Sequence, residues 1–161
     1  MAVFLSTYVN KVDRKGRVSV PASFRAVLAE QSAGVADGVI VFRSLQHPAL
    51  EACSERHMEA LAEALEKADL DDETRDLWET NVFAGSVLLP IDAEGRVILP
   101  QDLAEFAGIT ENAAFVGRNK VFQIWQPETF RARAEQARTQ GRNAGLSLSS
   151  LTAAARRTPQ P

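Results

Sequence analysis

The N-terminal third of the chain is built from short runs in which apolar and polar positions alternate. Arg17-Val18-Ser19-Val20 places valines at every second position, the period of a strand with one buried face, and before it Tyr8-Val9-Asn10-Lys11-Val12 also holds β-prone residues. Between them, Asp13-Arg14-Lys15-Gly16 has the chemistry of a tight turn. Its aspartate can bond the backbone two residues on, and its glycine reaches a positive φ without steric cost. Pro21 ends the second run and opens a helix, where its missing N–H has no intrahelical partner to lose. In that helix Phe24, Val27 and Leu28 fall on one face. The pattern predicts a hairpin of two strands about a tight turn, followed by a short helix.

Sliding the chain against itself by 79 positions repeats this pattern. Asp13-x-x-Gly16-Arg17-Val18-x-x-Pro21 falls on Asp92-x-x-Gly95-Arg96-Val97-x-x-Pro100, and Phe4 falls on Phe83, Ser6 on Gly85, Phe24 on Leu103. A helix after Pro100 would end at Gly108. One copy alone leaves a bare sheet face and open edges, whereas two copies can interlock around one core.

Elsewhere the pattern is coarser. Gly38-Val39-Ile40-Val41-Phe42, Ala113-Ala114-Phe115-Val116 and Val121-Phe122-Gln123-Ile124-Trp125 are strand candidates, with Asn119 and Lys120 turning between the last two. Residues 48–53 fit a strand or an early helix turn equally well. Ser54 is a helix N-cap, and after it Met58, Leu61 and Leu65 form one stripe with glutamates opposite. Residues 71–80 predict a second acidic helix, packed through Leu77 and Trp78. Pro127 and Glu128 start a last helix running to about residue 140. From Gly141 the chain is rich in Gly, Ser and Ala, which predicts a tail without regular structure.

Composition adds mainly exclusions. The 161 residues, 45% hydrophobic and 24% charged, suit one domain or two small ones around a shared core. No apolar run approaches the roughly 20 residues of a membrane helix, and residues 1–8 lack the charged start of a secretory signal. A cytoplasmic protein with no membrane partner is expected. Cys53 is the only cysteine, and His47 and His57 have no companions at ligand spacing, so neither a disulfide nor a metal cage is expected. No nucleophile triad, phosphate-binding glycine loop or HExxH occurs, so neither catalysis nor a cofactor is expected.

Charge changes the picture. The net charge is −3, yet residues 10–25 hold Lys11, Arg14, Lys15, Arg17 and Arg25 against Asp13 alone. Residues 51–80 hold eleven acids against Arg56, Lys67 and Arg75, and the chain from Glu128 onward holds six arginines against two glutamates. Such segregation steers a polyanion to one edge of the molecule.

The paired blocks, together with Phe83-x-Gly85, Val116-Gly117 and Gln123-Ile124-Trp125, resemble the MraZ family of the AbrB/SpoVT swapped-hairpin superfamily, from about Phe4 to Arg138. The resemblance implies a mainly β fold with peripheral helices (α+β), in which two AbrB-like swapped-hairpin repeats form one pseudo-symmetric β-barrel. On that basis residues 3–53 are the first repeat, 54–81 an acidic helical connector, 82–127 the second repeat, 128–140 a C-terminal helix and 141–161 the tail. It further implies a ring-like homo-oligomer that binds repeated sites in double-stranded promoter DNA at the nucleoid. Its targets would be the cell division and cell wall operon, its own gene included. The chain departs from the pattern at Ser6, where the second copy has Gly85, at Ala93-Glu94 in the second turn, and in the arginine-containing tail.

The residues divide accordingly. Asp13, Gly16, Asp92, Gly95 and Arg96 are expected to frame the turns, since a carboxylate facing phosphate is repelled. Arg17 recurs as Arg96, so it shares that structural role, with DNA contact open to both. Arg14 and Lys15 stand at the first tip with no counterpart in the second copy, and are the foremost DNA contacts, Arg suiting guanine edges and Lys phosphate. Lys11 is a further contact candidate, Arg25 belongs to the rim, and Arg156-Arg157 would add non-specific affinity. The rival reading is an antitoxin-like or scaffold protein that uses the same barrel to bind protein, for which the tail offers only Leu146, Leu148 and Leu151 as anchors.

Overall fold

The computed structural model describes residues 3–32 and 37–157. The chain divides into two compact units, Met1–Pro127 and Glu128–Pro161. In the first, the repeat seen in sequence is a repeat of elements. Strands β1 (Thr7–Lys11) and β2 (Arg17–Ser19), helix α1 (Ala22–Gln31), and strands β3 (Gly38–Arg43) and β4 (Leu50–Cys53) come first. The acidic stretch forms α2 (Glu55–Lys67), α3 (Asp72–Trp78) and a π-helical turn, Glu79–Phe83. Then β5 (Val87–Pro90), β6 (Arg96–Ile98), α4 (Gln101–Phe106), β7 (Asn112–Arg118) and β8 (Val121–Trp125) restate the first five elements.

The two copies exchange strands. The main sheet is antiparallel, in the order β1-β7-β8-β4-β3-β5. Strand β1 lies on β7 of the other repeat, with Thr7 opposite Val116 and Lys11 opposite Asn112. In return β5 lies on β3, with Gly38 opposite Pro90 and Val41 opposite Val87. Strands β4 and β8 meet in the middle, with Leu50 opposite Ile124. Strands β2 and β6 form a separate ribbon in which Val18 faces Val97. These are the same residue of the two copies, so a pseudo-two-fold axis passes between them. The fold is therefore α+β with a mainly antiparallel sheet. The six-stranded ladder ends at β1 and β5 and the β2–β6 ribbon stands apart from it.

The hairpin expectation needs correction. Although Asp13 N–H does bond Arg17 C=O across the first turn (3.0 Å), β1 and β2 then diverge into different sheets. The Asn10 side-chain amide spans the gap to Ser19 C=O (2.7 Å) where a ladder bond would have been. Strand β1 pairs instead with β7 and β2 with β6.

The core lies where the repeats interlock. Phe4, Phe24, Phe115 and Phe122 are fully buried, and the Phe122 ring centroid lies 5.0 Å from those of both Phe4 and Phe24. The ambiguous residues 48–53 yield a strand, since β3 and β8 take both edges of β4 and bury Leu50, Ala52 and Cys53. Ser54 Oγ caps α2 by accepting His57 N–H (3.1 Å). Burial pushes the Cys53 thiol up to about 12, the nearby Glu51 carboxylate adding to the effect, and leaves it inert as a nucleophile.

The connector and the C-terminal stretch depart from expectation, and the Ser6/Gly85 pair is resolved. Leu77 and Trp78 do not pack the connector onto the sheet, being 56% and 44% exposed; Val82 does so at 5%. The π-helical turn is what swings Val82 inward. At the Ser6/Gly85 pair it is the serine that holds a positive φ, +78°, while Gly85 is needed because a Cβ there would sit 2.7 Å from Asn81 C=O. In the second unit, helix α5 (Pro127–Asn143) outruns its expected end, and the tail that composition predicted to lack regular structure carries α6 (Leu148–Arg156). Ser147 and Ser150 form a reciprocal capping box that starts α6.

Candidate nucleic-acid interface

Each turn is closed by its own aspartate. Asp13 Oδ1 accepts the N–H groups of Lys15 and Arg17, both at 2.9 Å, and Oδ2 accepts Arg17 Nε at 2.6 Å. Asp92 does the same with Glu94 N–H and Arg96 N–H at 2.9 Å, and with Arg96 Nε at 3.1 Å. Gly16 and Gly95 both have φ +81°, where a side chain would be strained. The two turns are also tied to each other, for Gly95 C=O accepts Val20 N–H and Gly16 C=O accepts Leu99 N–H, each at 2.9 Å. Two matched tips thus project from one ribbon, their backbones fixed by the aspartate carboxylates and by the bonds between the turns.

What the tips carry differs. Arg14 and Lys15 are exposed, and among the described residues their side chains have no hydrogen-bond or ion-pair partner. Arg17 spends Nε on Asp13 and keeps its two terminal nitrogens without a partner among the described residues. In the second tip Arg96 is engaged twice, by Asp92 through Nε and by Glu94 through Nη2 at 3.1 Å. The same arginine in two identical motifs is therefore available in one and neutralised in the other. Sequence comparison treated Arg17 and Arg96 alike; the signal that separates them is Glu94, two residues before Arg96.

Lys11 ends β1 on the strand that leads into the first tip and is exposed. Arg25 does not join the tip. Its guanidinium lies over Gly95, where a Cβ would come within 2.6 Å of it, and its Nε bonds Val20 C=O at 3.2 Å. This explains why Gly95 is buried while Gly16 is not, and it gives Arg25 a packing task that sequence reasoning missed. Arg156 and Arg157 belong to the second unit, away from the residues of the tip in the chain. The histidines belong to other elements: His47 lies against Trp125, and His57 sits in the first turn of α2, where burial lowers its pKa.

The turn bonds have a pH signature. Backbone N–H bonds, foremost from Arg17 in one turn and Arg96 in the other, hold Asp13 and Asp92 below the ordinary carboxylate value of 3.8 despite some desolvation. A carboxylate whose pKa is lower folded than unfolded stabilises the fold above its unfolded value, and that contribution is lost as pH falls through the folded value. Melting temperature should therefore drop below pH ~4, and the drop should be shallower in an Asp13→Asn/Asp92→Asn variant. Parallel acid profiles for variant and wild type would remove the turns from the acid transition.

Among the described residues no helix is long and apolar enough to cross a membrane. A family model described as "MraZ protein, putative antitoxin-like" matches residues 82–145, which hold the second repeat and α5. The "Transcriptional regulator MraZ" of Rickettsia akari (strain Hartford) is 47% identical over 137 residues, covering 85% of this chain and 90% of that protein. Its namesake in Rickettsia canadensis (strain McKiel) is 48% identical over 130 residues, covering 81% and 85%. That of Rickettsia felis (strain ATCC VR-1525 / URRWXCal2) is 49% identical over the same span. Two interlocked Asp-x-x-Gly-Arg-Val-x-x-Pro turns, and identity near one half across most of both chains, place this protein in the MraZ family.

Proposed function

We propose that this chain is a sequence-specific DNA-binding transcriptional regulator, a repressor of the cell division and cell wall operon that includes its own gene. In this reading it binds repeated promoter sites as a ring-like multimer. The observation that carries the reading is the first tip, where Arg14, Lys15 and the free end of Arg17 stand unpaired among the described residues on a backbone that Asp13 and Gly16 hold rigid. A rigid basic tip loses little freedom on binding. It offers Arg14 to the edge of a guanine, Lys15 to a phosphate, and Lys11 to the backbone alongside. Asp13 orients Arg17 and stays out of contact. The second tip, where Asp92 and Glu94 both engage Arg96, has no net positive charge to offer and serves the frame. The identity to proteins named transcriptional regulators supports the assignment, and the family resemblance supports repression of that operon. The rival reading, an antitoxin-like or scaffold protein that binds protein through the same fold, gives the unpaired basic tip nothing to do.

A module with a few basic contacts binds weakly alone, and its affinity falls steeply with salt. Several modules held together gain through effective concentration, provided that site spacing matches module spacing. Moving one promoter repeat by half a helical turn should therefore cost roughly 10²-fold or more in affinity, the size of the lost avidity. Equal affinities for native and shifted spacing in an anisotropy titration would reject multimeric reading of the repeats.

A further inference from the structure

A cavity of about 560 Å³ lies between α2, α3 and the β3–β4 arm, lined chiefly by Phe42, Leu61, Leu65, Trp78, Val82 and Phe83. It is an open groove. Helix α2 has a strong apolar stripe, yet none of its residues is buried, and Trp78 remains 44% exposed. An amphipathic helix normally hides its stripe, so this pair of helices has a face left to cover. The stretch that builds the groove's helical wall holds eleven acids against three bases. That charge disfavours DNA, and it disfavours the same face of another copy, which would set two acidic surfaces against each other. It suits a basic amphipathic helix.

The chain carries one. On α6, Leu148 and Leu151 share a face at i, i+3 and are 87% and 68% exposed, and the helix ends in Arg156-Arg157. Helix α5, just before it, adds Arg131, Arg133, Arg138 and Arg142. The link between the two is built, not loose. Gly145 takes a positive φ, its N–H bonds Arg142 C=O at 3.1 Å, and Leu146 N–H bonds Gly141 C=O at 3.0 Å, the Schellman arrangement that fixes the exit from α5. An exposed leucine pair is thereby presented on a basic arm.

We propose that the acidic-walled groove is a docking site for α6 of a second copy of this chain, with Leu148 and Leu151 entering between Leu61, Leu65 and Trp78. The inference rests on the multimeric reading above and supplies its subunit contact. Groove and helix are different surfaces, so the contact is head-to-tail, the kind that propagates around a ring rather than closing on a pair. Anchors at helical spacing in an apolar groove supply the affinity, and opposite charge supplies the choice of partner.

The test uses full-length chains. One preparation carries Leu151→Cys, another of different tag mass carries Leu61→Cys, and the two are mixed under mild oxidation. A disulfide between the two introduced cysteines can then form only between copies, and the buried native Cys53, with its raised thiol pKa, adds little background. We expect a mixed disulfide-linked pair, and none when Glu63→Cys, on the exposed side of α2, replaces Leu61→Cys. No link above that control overturns the proposal, as does a link that forms only within a single chain bearing both cysteines. Sedimentation of a Leu148→Asp/Leu151→Asp chain, with its circular dichroism unchanged, should show loss of the higher-mass species; unchanged mass overturns the proposal as well. A wild-type chain that sediments as a monomer defeats the multimeric reading itself, whereas a wild-type multimer without the link defeats only the groove.

Discussion

Replacing Arg14 and Lys15 together by alanine is expected to abolish most binding to DNA from upstream of the chain's own gene. A bidentate arginine–guanine contact contributes about 1–3 kcal/mol, so one lost Arg14 contact predicts an affinity roughly 5- to 150-fold lower even before avidity is counted. Each lost phosphate contact should also flatten the plot of log affinity against log salt by about 0.9. The double variant should therefore differ from wild type in slope as well as in height. Neither side chain contributes to the turn, whose bonds run from Asp13 to the N–H groups of Lys15 and Arg17 and to Arg17 Nε. Alanine keeps those N–H groups, so melting temperature and sedimentation should match wild type. A matched Glu94→Ala change in the second tip frees Arg96 from one of its two partners and should leave affinity equal or slightly higher. Unchanged affinity and salt slope in the Arg14→Ala/Lys15→Ala variant would remove the first tip from the interface.

The asymmetry behind that prediction was half legible in the sequence. The turns could be read because every bond that closes them joins residues two to four apart, within one run of the chain. The contrast of Arg14-Lys15 with Ala93-Glu94 was legible for the same reason. The neutralisation of Arg96 by Glu94 was not, because side chains two apart across a turn can meet or splay, and only the folded geometry shows Glu94 reaching Arg96 Nη2. The exchange of β1 and β5 between the repeats was also hidden. Strand partners are chosen by burial across the whole core, and a local alternation says only that some partner exists. Leu77 and Trp78 misled because an apolar residue on an acidic helix was assigned to the core of its own chain; the π-helical turn that rotates Val82 inward has no pattern of its own. The last helix was overlooked because composition outweighed the capping signal: Ser147-x-x-Ser150 and the preceding Gly145 mark a helix boundary as clearly as Ser54 does for α2.

The exchange of strands makes one core residue matter to both repeats at once. Phe122, on β8, touches Phe4 and Phe24 of the first repeat at 5.0 Å between ring centroids and Phe115 of the second at 6.1 Å. It is fully buried. Phe122→Ala removes the ring and leaves a cavity among three others that are fixed by different elements, so the site can collapse only partly; the expected loss is about 3–5 kcal/mol. Against a usual total of about 5–15 kcal/mol, that is a large share of the stability of the fold. In a urea titration the midpoint should fall steeply while the slope m stays constant, because the same surface is exposed on unfolding. Phe106→Ala is the matched control. Its ring is 41% exposed and lies under the Arg43 guanidinium at 5.6 Å, so its removal should cost under about 1 kcal/mol. If the repeats interlock through this cluster, the Phe122→Ala unit must still unfold in one transition, since neither repeat keeps a core of its own. Two separated transitions would mean that each half folds alone and that the exchanged strands only dock afterwards.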